Sequence, residues 1–148
     1  MSLEDNKALI RRFVDRVFNQ NDLSALEEFL ADDYVLHDGW DTNSARVTHG
    51  AEGFREMSKA CHAAFSGQMI TIEDMFAEGD KVVTRWTSQG THTGEFMGYK
   101  PTNKQFTMSG ICIDRIEGGK LAESWVIGNE ADMLRQLGIL PAEYQEAA

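Results

Sequence analysis

The most telling segment of the chain reads Gly90-Thr91-His92-Thr93-Gly94-Glu95-Phe96-Met97-Gly98, and it follows a strand-like run over residues 81–89. Three glycines within nine residues indicate a backbone that turns or approaches another element closely. His92 places a titratable group at the predicted end of a strand. The segments on either side predict a pocket-forming domain, and the residues that would work inside that pocket are the open question.

The sequence before this segment is mostly helical in character. Apolar residues at i, i+3, i+4, i+7 and i+8 predict a first amphipathic helix. They are Ile10, Phe13, Val14, Val17 and Phe18. A second short helix is predicted over 23–30 and a third over 54–65. A short extended run, 34–37, precedes a predicted loop over 38–50.

After Gly67 the apolar period changes from about 3.6 to 2, which predicts strands. The strands are predicted over 69–77, 81–91, 105–116 and 121–128, with tight turns at 78–80 and 117–119 and a short closing helix around 133–137. Helices followed by an antiparallel meander predict an α+β domain with the helices on one face of the sheet. A strongly curved sheet of this kind leaves a cone-shaped cavity, and such cavities are common ligand sites.

Composition limits the class of protein. A length of 148 residues predicts a single domain over residues 1–148. The formal net charge of −10 argues against nucleic acid and against an anionic membrane surface as partners, because both require a basic face. The two cysteines, Cys61 and Cys112, lack metal-ligand spacing and are interpreted as free thiols in a reducing compartment. With no apolar span and no signal-peptide pattern, we expect a cytoplasmic protein.

Four segments of the chain resemble the SnoaL-like polyketide cyclase family of the nuclear-transport-factor-two-like superfamily. They read NKALIRRFVDRVFNQNDLSALEEFLADDYVLHD, EGDKVVTRWTSQGTHTGEFMGYKPTNKQF, RIEGGKLAESWV and LRQLG. The resemblance implies a cone-shaped α+β barrel with three N-terminal helices on the concave face of a mostly antiparallel sheet. It also implies a homodimer packed sheet to sheet, and catalysis by pocket side chains without a metal or an organic cofactor.

The resemblance also implies catalytic positions, and this chain departs from them. In the family's cyclases the general acid/base is an aspartate on the last strand, with a histidine two residues before it. Here the aspartate position is Val126 and the histidine position is Ser124, and a further polar pocket position corresponds to Cys112. Valine cannot transfer a proton. The protein therefore uses other residues, performs different chemistry, or only binds its ligand.

Replacement groups for proton transfer can be sought among the polar residues near strand ends. His37 and Asp38 are adjacent, and a histidine or a desolvated carboxylate can act as a base, although alternation lets at most one of them face the cavity. In the alternative interpretation, Asp38 begins the following loop or turn and His37 is exposed to solvent. His92 is a catalytic candidate or a loop anchor. Arg85 either binds a carboxylate or carbonyl in the cavity or forms an ion pair at an interface.

Further candidates concern ligand binding. Trp40 could stack on a flat ligand, although tryptophans also fill cores and interfaces. Cys112, Ser124 and Val126 are expected to line the cavity, and Cys112 would be a nucleophile only as a thiolate with a nearby base.

Three functions are consistent with these residues. The first is a cyclase-like enzyme that binds a small hydrophobic, aromatic or polyketide-type substrate, in which Asp38 or His37 moves a proton and Arg85 or His92 steadies an enolate. The second is a non-catalytic small-molecule-binding protein. The third is an epoxide hydrolase- or dehydratase-like enzyme, for which Arg85 is the best-placed residue.

Overall fold

The computed structural model describes residues 1–39 and 46–141. The first helix, α1, spans Leu3–Phe13 and continues as a π-helical turn over Val14–Asn19. A 3-10 turn at Leu23–Ala25 leads into the short helix α2, Leu26–Phe29. Helix α3 spans Gly50–Ala64, and α4 spans Glu130–Gln136. None of the helices in this part of the chain has the length and apolar character needed to span a bilayer.

Six strands form one curved, open sheet. They are β1 (Leu30–Asp38), β2 (Arg46–His49), β3 (Phe65–Glu78), β4 (Lys81–His92), β5 (Gln105–Glu117) and β6 (Lys120–Gly128). Their order across the sheet is β2-β1-β6-β5-β4-β3. All neighbouring strands are antiparallel except β1 and β6, which run parallel. The long strand β3 lies at one edge, and its pairing with β4 shifts register twice, between Ser66 and Met69 and between Ile72 and Asp74.

The α+β class and the curved, mostly antiparallel sheet predicted from the sequence are confirmed. The sheet is open, however, so the α+β barrel that the resemblance implies does not close. The predicted loop over 38–50 was wrong in part, because Arg46–His49 forms the edge strand β2. This strand lacks an apolar alternation, and its backbone pairing with β1, where Asp38 lies opposite Arg46, holds it in the sheet.

The inner face of the sheet, against which the helices pack, is covered by two apolar clusters. The larger cluster joins α1, α2 and α3 to one end of the sheet and contains Phe13, Val17, Phe29, Phe54 and Leu121. Edge-to-face and tilted contacts link its aromatic rings, with Phe13 and Phe54 centroids 5.8 Å apart. The smaller cluster includes Phe65, Phe106 and Met133 at the other end. The candidate site described below lies at the edge of the first cluster.

The glycine-rich segment after β4 is fastened to the end of α3. The backbone N–H groups of Thr93 and Gly94 both donate to the carbonyl oxygen of Ala64, at 3.0 and 2.9 Å. A Cβ atom on Gly94 would lie 1.9 Å from the carbonyl oxygen of Ala63, closer than any real contact. Gly98 has a φ of 82°, a left-handed conformation that favours glycine. The close backbone approach expected from the sequence is therefore present at Gly94.

We predict that Gly94→Ala lowers the free energy of unfolding by about 3 kcal/mol, because the added methyl group meets backbone atoms that cannot move alone. Urea unfolding followed by circular dichroism measures the change. Glu95→Ala at the neighbouring exposed position is the control and should change stability by less than about 0.5 kcal/mol. Equal stability of Gly94→Ala and the native protein would contradict this account of the loop.

Candidate functional site

A row of paired residues crosses the inner face of the sheet from β3 to β1. It consists of Met75, Thr84, Cys112, Val126 and Asp38, each directly opposite the next in register, and we call it the Asp38 row. Residues opposite one another on neighbouring strands point to the same face of the sheet. Met75 and Val126 pack against the larger apolar cluster, which identifies this face as the inner one.

A second row runs one step deeper along the same face. It consists of Ala77, Val82, Asp114, Ser124 and Leu36, and we call it the Asp114 row. Asp114 is buried, with 5% of its surface exposed. Its Oδ1 accepts a hydrogen bond from the Ser124 hydroxyl at 2.5 Å and a longer one from the Cys112 thiol at 3.4 Å. These two donors partly replace the water that the carboxylate loses on burial.

Burial dominates the electrostatics of this cluster. It raises the pKa of Asp114 to about 6, against which the hydrogen bonds from Ser124 and Cys112 act only in part. Burial also raises the pKa of the Tyr34 hydroxyl, which hydrogen-bonds with Ser124, and the pKa of the Cys112 thiol, which faces the Asp114 carboxylate. Cys112 is therefore held as a neutral thiol, and the sequence-based interpretation of a small strand residue fits better than a nucleophile.

Asp38 lies at the end of the Asp38 row, directly opposite Val126. Its carboxyl group is half-buried, and this burial raises its pKa, with a further increase from the nearby Glu130 carboxylate and a decrease from Arg46. Burial also raises the pKa of the Cys61 thiol on α3, again with a contribution from Asp38. The carboxyl group therefore lies between the sheet, helix α3 and the start of α4.

His37, the residue before Asp38, points to the opposite, outer face of the sheet. Its ring stacks on Trp125 with centroids 5.5 Å apart and an interplanar angle of 11°. Its Nε2 lies 2.8 Å from a carboxylate oxygen of Glu123, and this contact lowers the pKa of Glu123. Alternation along β1 thus separates the two adjacent residues, and the structure does not bring His37 to the face that carries Asp38.

Arg85 also lies on the outer face, because its neighbour Thr84 faces inward. Its Nε donates to a carboxylate oxygen of Asp74 at 2.6 Å, and both side chains are about half exposed. Of the two alternatives drawn from the sequence, the structure places Arg85 in the surface ion pair, away from the Asp38 row. The convergence of Arg85 with Asp38 that the cyclase hypothesis expected is absent.

His92 is fully buried at the far end of β4. Its Nδ1 accepts a hydrogen bond from the backbone N–H of Thr102 at 3.2 Å and lies 3.1 Å from the Thr102 hydroxyl, so the ring fastens the loop that follows β4. Eight residues separate it from Thr84, which corresponds to about 27 Å along the strand. The loop-anchoring alternative therefore describes its geometry, and His92 does not converge with Asp38.

The remaining predicted site residues divide into two groups. Cys112, Ser124 and Val126 do line the inner face, next to Asp38 and Asp114. Trp40 lies outside the described residues. Within residues 1–39 and 46–141, no group of three or more histidine, cysteine or acidic side chains is arranged to hold a metal ion.

The sequence analysis missed Asp114, although a signal was available. Along β5 the alternate residues Phe106, Met108, Cys112 and Ile116 face the interior, and Asp114 occupies a position in the same alternation. An aspartate on the apolar face of a strand costs free energy unless it is hydrogen-bonded, so it marks a functional or structural specialisation.

Comparison with known proteins defines the class. A family model described as SnoaL-like polyketide cyclase matches residues 8–137, so the chain belongs to this family. The fold corresponds to the nuclear-transport-factor-two-like fold of the family's solved structures. No curated protein sequence matches the chain significantly.

Several solved structures share this fold along nearly the whole chain. IdmH of Streptomyces antibioticus, a proposed polyketide cyclase, is 33% identical with a TM-score of 0.77, covering 90% of this chain and 98% of its own. A proposed polyketide cyclase from Acidithiobacillus ferrooxidans is 31% identical with a TM-score of 0.79, covering 93% and 98%. AclR of Streptomyces galilaeus, a proposed hydroxylase, is 28% identical with a TM-score of 0.83, covering 97% and 87%. The family and these neighbours support a cyclase-like function.

We predict that the Asp114 carboxyl group makes the protein less stable as the pH rises. Its pKa is higher in the folded state, about 6, than the ordinary value of 3.8, so the folded protein binds more protons between these pH values. The stability that the neutral Asp114 carboxyl group contributes is fully present below about pH 4 and is lost as the pH rises through about 6. The difference corresponds to a free energy on the order of 3 kcal/mol.

Asp114→Asn tests this directly, because the amide cannot ionise but can still accept from Ser124. Relative to the native protein, the variant should gain about 3 kcal/mol in free energy of unfolding between pH 4 and pH 7, measured by urea titration at each pH. Asp32→Asn at an exposed position is the control. A constant difference between Asp114→Asn and the native protein across this range would show that Asp114 titrates normally.

Proposed function

We propose that the protein is a cofactor-independent cyclase-like enzyme that moves a proton with Asp38. The observation that supports this most strongly is the register of β1 and β6, which sets Asp38 directly opposite Val126 on the inner face. The family resemblance assigns the position of the family's aspartate to Val126, and in this proposal Asp38 supplies the carboxyl group from the neighbouring strand instead. The strands are about 4.8 Å apart.

The chemistry follows from the environment of this carboxyl group. Burial raises its pKa, which makes its carboxylate a stronger base than that of an exposed aspartate. In the proposed step the Asp38 carboxylate accepts a proton from an acidic C–H of a small carbonyl compound. The electron pair left behind forms an enolate, which attacks a second carbonyl of the same molecule and closes a ring. The resulting alkoxide takes up a proton.

The half-buried surfaces of Cys112 and Val126 would contact the apolar body of such a substrate. Both are small or apolar, and the Cys112 thiol is held neutral, so this part of the site favours a hydrophobic ligand. An epoxide hydrolase- or dehydratase-like reaction is less well supported, because Arg85, the residue on which it depended, forms its ion pair on the outer face.

We predict that Asp38→Asn slows proton abstraction at least 100-fold, the usual contribution of a positioned general base. The assay follows solvent deuterium incorporation at the acidic C–H of aromatic β-keto esters by NMR, with ring closure followed by mass spectrometry. Asp33→Asn, an exposed residue on the same strand, is the matched control and should retain full activity. The rate with native protein should fall as the pH drops through the raised pKa of Asp38.

Two results would change this proposal. If Asp38→Asn exchanges deuterium as fast as the native protein, the base is another residue. If the native protein binds the esters and exchanges none of them, the second candidate applies, a non-catalytic binding protein. The replacement of the family's aspartate and histidine by Val126 and Ser124 is the observation that favours this candidate.

We also propose that the protein is a homodimer formed through the outer face of the sheet. Exposed apolar side chains cluster at the centre of this face, where Ile111 and Ile127 lie opposite each other and each has 43% of its surface exposed. Phe76 on β3 adds a further ring with 65% exposed. Exposed large apolar side chains on one face of a sheet support an interaction site there.

We predict that Ile127→Glu converts a dimer to a monomer, because Ile127 lies opposite the apolar Ile111 and the new charge would be buried in the proposed interface without a partner. Light scattering after size-exclusion chromatography gives the mass directly. Met97→Glu alters a more exposed apolar residue in the loop after β4 and should leave the mass unchanged. A native protein of monomer mass at high concentration would contradict the proposal.

A further inference from the structure

Trp86 on β4 faces the inner side of the sheet, one register step from Thr84 and the Asp38 row. Its partner on β5 is Gly110, and the partner of Gly110 on β6 is Gly128. The two glycines lie side by side in the interior of the sheet. The indole ring therefore extends across a part of the sheet that carries no side chain at either neighbouring position.

The ring crowds both glycine positions, and at Gly110 the carbonyl oxygen of Ile127, 2.6 Å from a Cβ atom, also leaves no room for a side chain. A Cβ atom on Gly110 would lie 2.2 Å from Cζ2 and 2.7 Å from Cε2 of the indole. A Cβ atom on Gly128 would lie 3.2 Å from Cη2 of the same ring. The six-membered ring of the indole thus spans from β5 to β6 in the space that two side chains would otherwise fill.

Glycine in the interior of a strand weakens it by roughly 0.5–1 kcal/mol, and often marks a place where another group approaches the backbone closely. Here the close group is the protein's own tryptophan. Gly110 carries this cost inside β5, and Gly128, at the end of β6, leaves the neighbouring position open, so that one large ring can lie across both strands.

The indole also remains partly accessible. Trp86 is only half-buried although its side chain lies on the face covered by helices. The larger apolar cluster lies on one side of it along the sheet and the smaller cluster on the other, and Met108 of β5 is beside it. A ring that lies over two glycines and keeps part of its surface accessible offers a surface for aromatic stacking.

We propose that Trp86 is a stacking platform for a planar aromatic ring of the ligand. Gly128 follows Val126 by two residues on the same face of β6, so a ring stacked on the indole has one edge directed toward Val126 and Asp38. The inference deepens the proposed function, on which it rests for the identity of the reacting group. It specifies the ligand as a planar aromatic compound with its carbonyl substituents at that edge.

Trp125 supplies a matched comparison within the same chain. It lies on β6 as well, but its ring is on the outer face, stacked against His37. A change at Trp125 removes an indole of the same size without touching the inner face. The substitutions Trp86→Leu and Trp125→Leu therefore separate the proposed platform from a general loss of aromatic surface.

The experiment measures binding of 1,8-dihydroxyanthraquinone, a planar aromatic probe, by tryptophan fluorescence and by calorimetry. The chain has three tryptophans, so the double variant Trp40→Phe, Trp125→Phe leaves Trp86 as the sole reporter. Saturable quenching of this reporter is expected.

By calorimetry, Trp86→Leu should bind the probe about tenfold more weakly, Trp86→Phe should be intermediate, and Trp125→Leu should stay within about twofold of the native protein. Perhydroanthracene, a saturated non-planar compound of similar size, should bind native protein and Trp86→Leu alike.

Circular dichroism and thermal unfolding establish that each variant is folded, and Trp86→Phe retains a ring on the glycine pair if Trp86→Leu does not fold. Equal affinity of Trp86→Phe, Trp86→Leu and native protein for the planar probe would overturn the platform, as would absence of probe binding to native protein. If the Trp86 variants bind the probe like native protein while Asp38→Asn abstracts protons slowly, the stacking platform is wrong and the proposed function stands. If Trp86→Leu binds the probe weakly while Asp38→Asn abstracts protons at the native rate, the platform stands and the proposed function is wrong.

Discussion

The parallel pairing of β1 with β6 is the constraint on which the candidate site depends. It is the one parallel contact in the described sheet, and it brings a strand from the helical first half of the chain beside the last strand. A shift of one residue in this register would move Asp38 to the outer face and His37 to the inner face. The large apolar cluster fixes the register, because Tyr34 and Leu36 on the same strand must remain buried in it.

The two acidic groups of the inner face are stabilised in different ways. Asp114 is buried among residues that donate hydrogen bonds to it, and the cost of its charge appears as a raised pKa. Asp38 is closer to the surface and is influenced by Arg46 and Glu130 at the end of the sheet. Buried carboxyl groups of shifted pKa are found in catalytic sites and also in structural networks. Asp114, the deeper group, has the hydrogen-bond contacts of a structural element. Asp38, closer to the surface, is the more accessible of the two.

The fold could be predicted from the sequence to a large extent, because the change from helical to strand periodicity after Gly67 reports directly on burial. Strand β2 escaped prediction since four largely exposed residues carry no apolar pattern. The candidate site was harder to predict from the sequence. Alternation allowed only one of His37 and Asp38 to face inward, but the choice between them depends on the β1–β6 register, which no local pattern contains. Asp114 and the Trp86–glycine arrangement likewise depend on which residues lie opposite one another on neighbouring strands.

The irregular edge of the sheet has a consequence for how copies of the protein meet. Regular edge strands invite pairing with other chains through their unsatisfied backbone groups. Strand β3 departs from regular pairing twice, and the second shift falls at two acidic residues, Glu73 and Asp74. Bulges twist an edge away from a prospective partner, and a second copy of the same edge would bring the like charges of Glu73 together. The β3 edge is thereby protected against growth by strand addition, which leaves the broad outer face as the surface for the homodimer proposed above.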